Sequence, residues 1–205
     1  MADSTAVTWH HGVVLEDGRP YPMRHRLSDH AQRLPELTDR VLGLSDQECR
    51  ASTAAHELGH AVLWMVQGIH VVEVGVDALD GQAQCSPPAP EKRLEWAIAV
   101  VAGERAQDRW LRETGLWTED RAAMAELGAS SDRARIFAAD PMPRPGFGDG
   151  GPDYADLHAL ADQALDARWD TIQAALPALV REGTMTGNRL ASCIGFPNPT
   201  PAARA

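Results

Sequence analysis

His56, Glu57 and His60 lie within the stretch STAAHELGHAVLWMVQG, Ser52 to Gly68. Residues four apart on an α-helix project from one face, a turn apart. His56 and His60 can therefore take two adjacent corners of a zinc tetrahedron. Glu57 sits about 100° round the helix from His56, where it flanks an ion without ligating it and can serve as general base on a water. Gly59 leaves room for another segment to approach. Three titratable side chains among apolar neighbours are costly unless something satisfies them. A metal does so; the alternative is a pair of surface histidines. This is the HExxH signature of zinc hydrolases, here on an apolar and well-capped helix.

A catalytic zinc usually takes three protein ligands and keeps one position open, so a third donor must come from elsewhere. His70, two residues past the helix stop, is expected on a strand surface. His158 is expected on the polar face of a late helix. His10, His11, His25 and His30 fall in a weakly patterned region where a surface role is the default. Glu104 on the second long helix and Asp132 in the first turn of a helix after GASS are the acidic candidates. Glu104 and Asp108 fall on the core-facing stripe of their helix and need partners. The outer shell of a metal site would supply them; a slight rotation of the helix toward solvent is the other solution.

Several elements must hold these residues in place. Ser45 and Glu48 form a capping box and Gly68 a stop, giving a helix from about Asp46 to Gln67. IHVVEVGV (Ile69 to Val76) alternates as a strand with Val72, Val74 and Val76 on one face, and ALDGQAQC adds a turn and an antiparallel partner. A second long helix is expected from roughly Glu91 to Glu113, with Ala97, Val100, Val101 and Leu111 inward. TEDRAAMAELGASSDRARIFAAD reads as a helix, a break at Gly128, and a helix capped by Ser130 or Ser131. Pro141 to Asp153 forms a lid-like loop. The following helical segment is expected to bend near Pro177, TMTGNRLASCIG to form a short helix, and FPNPTPAARA to be a disordered tail. Near the start, the Asp17-Gly18 signal suggests a weak hairpin, followed by a short helix interrupted at Pro35.

The expected class is mainly α (α+β), with a small two- to three-stranded sheet beside the HExxH helix. The domain covers residues 45–195, with 1–44 an N-terminal extension and 196–205 a tail. A chain of 205 residues with 44% hydrophobic content suffices for one core. Its formal charge of -10 argues against nucleic acid or anionic membrane as partner. No apolar run approaches the roughly 20 residues of a membrane span, and the start lacks a signal peptide's basic-then-apolar order. A cytoplasmic location is expected. Cys49, Cys85 and Cys193 form no CxxC pair, so they read as small core residues. Trp64 and Trp96 read as helix-packing anchors.

HELGHAV, a strand, AIAVVAGERAQDRW and then LGASSDRARIF resemble, in order and wording, the peptidase domain of FtsH-type ATP-dependent zinc proteases. That domain carries a pattern like HEAGHAV, a helix with GGRAAEE, and TGASNDL. ALVREGTMTGNRLASCI is similar to its C-terminal end, so the resemblance spans about residues 45 to 195. It implies His56, His60 and Asp132 as zinc ligands and Glu57 as general base. The departures are specific. There is no GxxxxGK[ST] phosphate loop, Leu127 stands where the family has Thr, and the acidic pair of GGRAAEE appears as Gln107 and Asp108. Asp108, or Glu104 a turn earlier, would replace the lost outer-shell carboxylate.

The resemblance implies a soluble zinc endopeptidase acting on extended or unfolded polypeptide, laid along the strand edge near Gly81 to Cys85. A separate ATPase partner or a homo-oligomer is compatible with it. Two rival functions remain: a catalytically silent zinc-binding regulatory or interaction module, and a metallopeptidase of another family with Glu104 as third ligand.

Overall fold

Ser45 starts the site-bearing helix as its sequence requires. The Ser45 hydroxyl accepts from the Glu48 amide at 3.3 Å, and the Glu48 carboxylate accepts from the Ser45 amide at 2.7 Å. At the other end the Ile69 amide reaches the Trp64 carbonyl at 2.8 Å and the Gly68 amide that of Met65 at 3.2 Å. This is a Schellman stop, and it needs the left-handed φ of +83° that Gly68 supplies. The computed structural model describes residues 9–14, 20–34, 38–77, 80–139 and 151–201.

In chain order the elements are β1 (His10–Val14), β2 (Pro20–Met23), α1 (Asp46–Val66), β3 (Val71–Val76), β4 (Gly81–Cys85), α2 (Arg93–Glu113), α3 (Glu119–Gly128), α4 (Ser130–Ala139), α5 (Tyr154–Asp166), α6 (Trp169–Glu182), β5 (Thr184–Thr186) and α7 (Gly187–Ile194). The fold is mainly helical with a small antiparallel sheet of strand order β4-β3-β5. β1 and β2 form a separate antiparallel hairpin. The core lies where α1, α2, α5 and α6 meet, with Leu58, Met65, Val100, Leu157 and Leu179 buried. α1 and α2 cross closely because Gly59 faces Ala102 and Ala106. A Cβ at Gly59 would stand 2.6 Å from the Ala102 carbonyl oxygen.

Several expectations change. Val74 and Val76 are buried, but Val72 is 45% exposed, because an irregularity between Val71 and Glu73 turns Val71 inward instead. The late helical segment breaks at Ala167 and Arg168, between α5 and α6, and Pro177 lies inside α6. Thr184–Thr186 form the third strand before α7, where only a helix was expected. Among the described residues of 27–43 only a single turn, Ala31–Arg33, is helical; Pro35 lies outside the described residues, as does most of the Pro141 to Asp153 loop. The described part of the tail is tied down. Asn198 exchanges hydrogen bonds with the Val71 backbone at 3.0 and 2.9 Å, and His70 Nδ1 donates to the Pro199 carbonyl at 2.6 Å. His70 thus lies ahead of β3, half-buried, rather than on the strand.

Described residues of the N-terminal segment pack on the helical core. Trp9 meets His158 edge-on at 4.9 Å between ring centroids. Glu126 of α3 accepts from the Arg24 amide at 2.8 Å and pairs with His25 Nδ1 at 2.7 Å. His25 is thereby a packed side chain, not the surface residue expected.

Candidate metal centre

α1 turns His56 and His60 toward α2 and α4. The His56 Nδ1–H donates to Gln107 Oε1 at 3.1 Å, and the His60 Nδ1–H to the Ala99 carbonyl at 2.8 Å. The Gln107 amide in turn donates to Ser52 Oγ at 3.0 Å, which fixes its oxygen toward His56. With both Nδ1 atoms committed as donors, each ring presents Nε2 to the interior of the cleft. Trp64 stacks on His60 at 5.4 Å and 17° between planes, holding that ring in orientation.

Asp132, in the first turn of α4, brings Oδ2 to 3.1 Å from both Nε2 atoms. The three donor atoms lie within 4.8 Å of one another, a group that can hold a metal ion. Without an ion, protons must reconcile these atoms. Burial lowers the His56 pKa, but the hydrogen bond to Asp132 and the charges of Glu57 and Asp132 outweigh it, and the value rises to about 9. Burial raises the Asp132 carboxyl, and the two imidazoles more than reverse this, holding it far below the usual carboxylate range. A divalent cation would satisfy the same three atoms without the protons.

Gly103 of α2 closes the back of the site. A Cβ there would strike the His60 ring and come within 2.7 Å of His56 Nε2. Glu57 lines the same cleft, about 220 Å³ in volume, together with Thr53, Gly81, Gln82 and Ser131. Burial pushes the Glu57 carboxyl up, opposed by His56 and His60. Arg135, at the cleft edge, pairs with Asp132 Oδ1 at 3.5 Å.

No family model matches the chain, and no curated protein matches it.

The structure brings His56, Glu57, His60 and Asp132 together and places the other acidic candidates elsewhere. Neither Glu104 nor Asp108 touches a ligand imidazole. Asp108 pairs with Arg105 and Arg112, both at 3.2 Å, and accepts from Trp117 at 2.8 Å. Glu104 accepts from Arg133 at 2.7 Å and faces His158 Nε2 at 2.8 Å, all three residues being only 2% exposed. His158 is therefore a core residue, not a polar-face one. Arg133 also donates to the Pro22 carbonyl at 2.8 Å, so this network ties α4, and with it Asp132, to α2, α5 and the N-terminal hairpin. The α2 side chain that reaches an imidazole is Gln107. Its four-residue spacing from Gly103 is the signal in the sequence, since both fall on one face of α2 and both meet the imidazoles.

Removing one partner of a buried, paired charge is strongly destabilising. Glu104→Ala is expected to cost about 3–5 kcal/mol, read as a shift in the urea midpoint. The same network predicts acid sensitivity. Burial raises the Glu104 carboxyl, but Arg133 and His158 hold it well below its ordinary value of 4.5. Burial drives His158 below its ordinary value of 6.5, more than Glu104 raises it. The folded chain thus binds fewer protons than the unfolded one at both groups. Their contribution is complete above about pH 6.5 and falls on acidification, first through His158 and then, below about 4.5, through Glu104. His56, raised to about 9, opposes this only near pH 6.5, where the unfolded imidazole is still partly neutral. Glu57, whose carboxyl is raised, opposes it as the pH falls toward 4.5. The two buried groups of the Arg133 network outweigh them. Denaturation of metal-free protein should show a falling midpoint from pH 6.5 to 4; a rising one would contradict this assignment.

Proposed function

We propose that the chain is a zinc-dependent endopeptidase acting on extended or unfolded polypeptide, similar to the peptidase domain of FtsH-type proteases. The observation that carries this reading is the convergence of two Nε2 atoms and one carboxylate oxygen at 3.1 Å beside an acidic residue in the same cleft. Donors at zinc's usual ~2.0 Å, spread at tetrahedral angles, stand ~3.3 Å apart, close to the two Nε2–Oδ2 separations of 3.1 Å. Two imidazoles and one carboxylate form a zinc-type donor set, and their Nδ1 atoms carry the hydrogen bonds that such ligands usually make.

Zinc held there would supply Lewis acidity, bringing a water's pKa near neutrality and polarising a peptide carbonyl. The protein does the rest. Glu57 takes the proton from the attacking water and returns it to the departing amine. Gln107, Ala99 and Trp64 keep the imidazoles aimed. β4 is an edge strand with no strand partner on its outer side among the described residues, and Gly81, Gln82 and Ala83 line the cleft. An extended peptide can add to that edge through main-chain hydrogen bonds. A compact domain cannot, so stable folded proteins should resist cleavage. No helix of the described residues is long and apolar enough to cross a membrane.

Purified protein should cleave an unstructured peptide, lose that activity on chelation and regain it with zinc. Cleavage indifferent to chelation would refute the reading. Asp132→Ala should lose the metal, whereas Glu104→Ala, though destabilised, should keep it. The reverse result would favour the rival metallopeptidase with Glu104 as ligand.

A further inference from the structure

A second cavity, about 500 Å³, opens beside the metal centre and is walled by Trp64, Cys85, Pro87, Pro88 and Trp96, with Arg93 and Arg135 also in its lining. It shares Gln82, Ala83 and Arg135 with the first cleft, so the two are continuous along β4. Its lining exposes more apolar than polar surface, the opposite of the metal cleft. Trp64, which stacks on His60 and donates to the Trp96 carbonyl at 3.4 Å, is shared between the metal site and this cavity; Cys85, Pro87, Pro88 and Trp96 are not among the three converging donors.

We infer that this cavity seats a large apolar side chain of a peptide laid along β4, one of the two residues preceding the bond to be cut. The inference deepens the endopeptidase reading and rests on it for the position of the cut. The strand direction supplies the polarity. β4 begins at Gly81, whose Cβ position lies 2.6 Å from Thr53 and 2.7 Å from Glu57. It ends at Cys85, in the cavity that Trp64 also walls, so β4 runs alongside α1 in the same sense. Antiparallel pairing is the more stable mode, and a peptide so paired has its N-terminal side toward Cys85. Side chains alternate across a strand, so one of two consecutive residues points into the cavity. Its volume suits Phe, Leu or Trp, and a neutral Asn, without the charge that Arg93 and Arg135 would attract in a carboxylate, would lose hydration against two indoles and two prolines.

Acetylated, amidated alanine hexapeptides with Phe or Asn at the third position provide the probes. Binding is measured by calorimetry on Glu57→Gln protein, where turnover does not intervene. The Phe peptide should bind at least about tenfold more tightly than the Asn peptide. Adding Cys85→Phe, which fills the cavity, should collapse that ratio while the melting temperature shows the fold intact. Equal binding of the two peptides, or a ratio that survives Cys85→Phe, overturns the inference. On longer peptides, cleavage mapped by mass spectrometry should place the apolar residue one or two positions before the cut. Placement after it also overturns the inference. A binding ratio that holds while wild-type protein cleaves nothing supports the cavity assignment and refutes the endopeptidase reading instead.

Discussion

Glu57→Gln is expected to lower peptide cleavage by about 10²- to 10⁴-fold and to leave the metal content unchanged. Glutamine keeps the volume of the side chain, and volume matters here because the Glu57 carboxylate packs where Gly81 approaches α1. It cannot accept a proton, so the step assigned to this residue is removed while the cleft keeps its shape. Glu57 is not among the three converging donors, so the ion has no reason to leave. Burial raises the carboxyl, which moves its basicity toward the range a general base needs at neutral pH. The paired measurement is single-turnover cleavage and metal per chain on one preparation. Loss of both would make Glu57 a ligand or a structural residue. Retained metal with unchanged biological activity would favour the silent zinc-binding module.

Gly103→Ala should damage the metal centre more than a methyl at any other described glycine, because its Cβ position alone falls on both imidazoles. Alanine in a helix interior is ordinarily favoured over glycine by about 1 kcal/mol, so propensity alone predicts a more stable protein. Overpacking costs about 1–3 kcal/mol where neighbours must shift, and the neighbours here are the two imidazoles. The His60 ring cannot retreat without leaving the Ala99 carbonyl and the face of Trp64. The expected result is loss of most bound metal and a lower melting temperature. Gly128→Ala is the control, since nothing lies within 4 Å of its added methyl. A Gly103→Ala protein that melts higher and binds metal normally would contradict this packing.

What could be read from the sequence was whatever local rules govern. The Ser45–Glu48 capping box, the Gly68 stop and the i, i+4 histidines are short-range features, and the first two occur where expected. Asp132 was reached through the resemblance of GASSD, and it lies beside both imidazoles. Long-range pairings were not legible. Nothing near His158 in sequence indicates that its partner is Glu104 on another helix, or that the same carboxylate also holds Arg133. The acidic stripe on α2 signals that partners must exist but not which, and the α2 side chain bonded to His56 is a neutral one, Gln107. Val72 illustrates the limit of periodicity: one irregularity in the β3–β4 pairing reverses which valine faces the core. β5 is three residues long, too short for any alternation to stand out.

Anomalous scattering at the zinc edge, from crystals of the protein grown with equimolar zinc, bears most directly on the central claim. The account predicts one peak about 2.0–2.2 Å from each of His56 Nε2, His60 Nε2 and Asp132 Oδ2. A peak on other residues, or none between these three side chains, would contradict it.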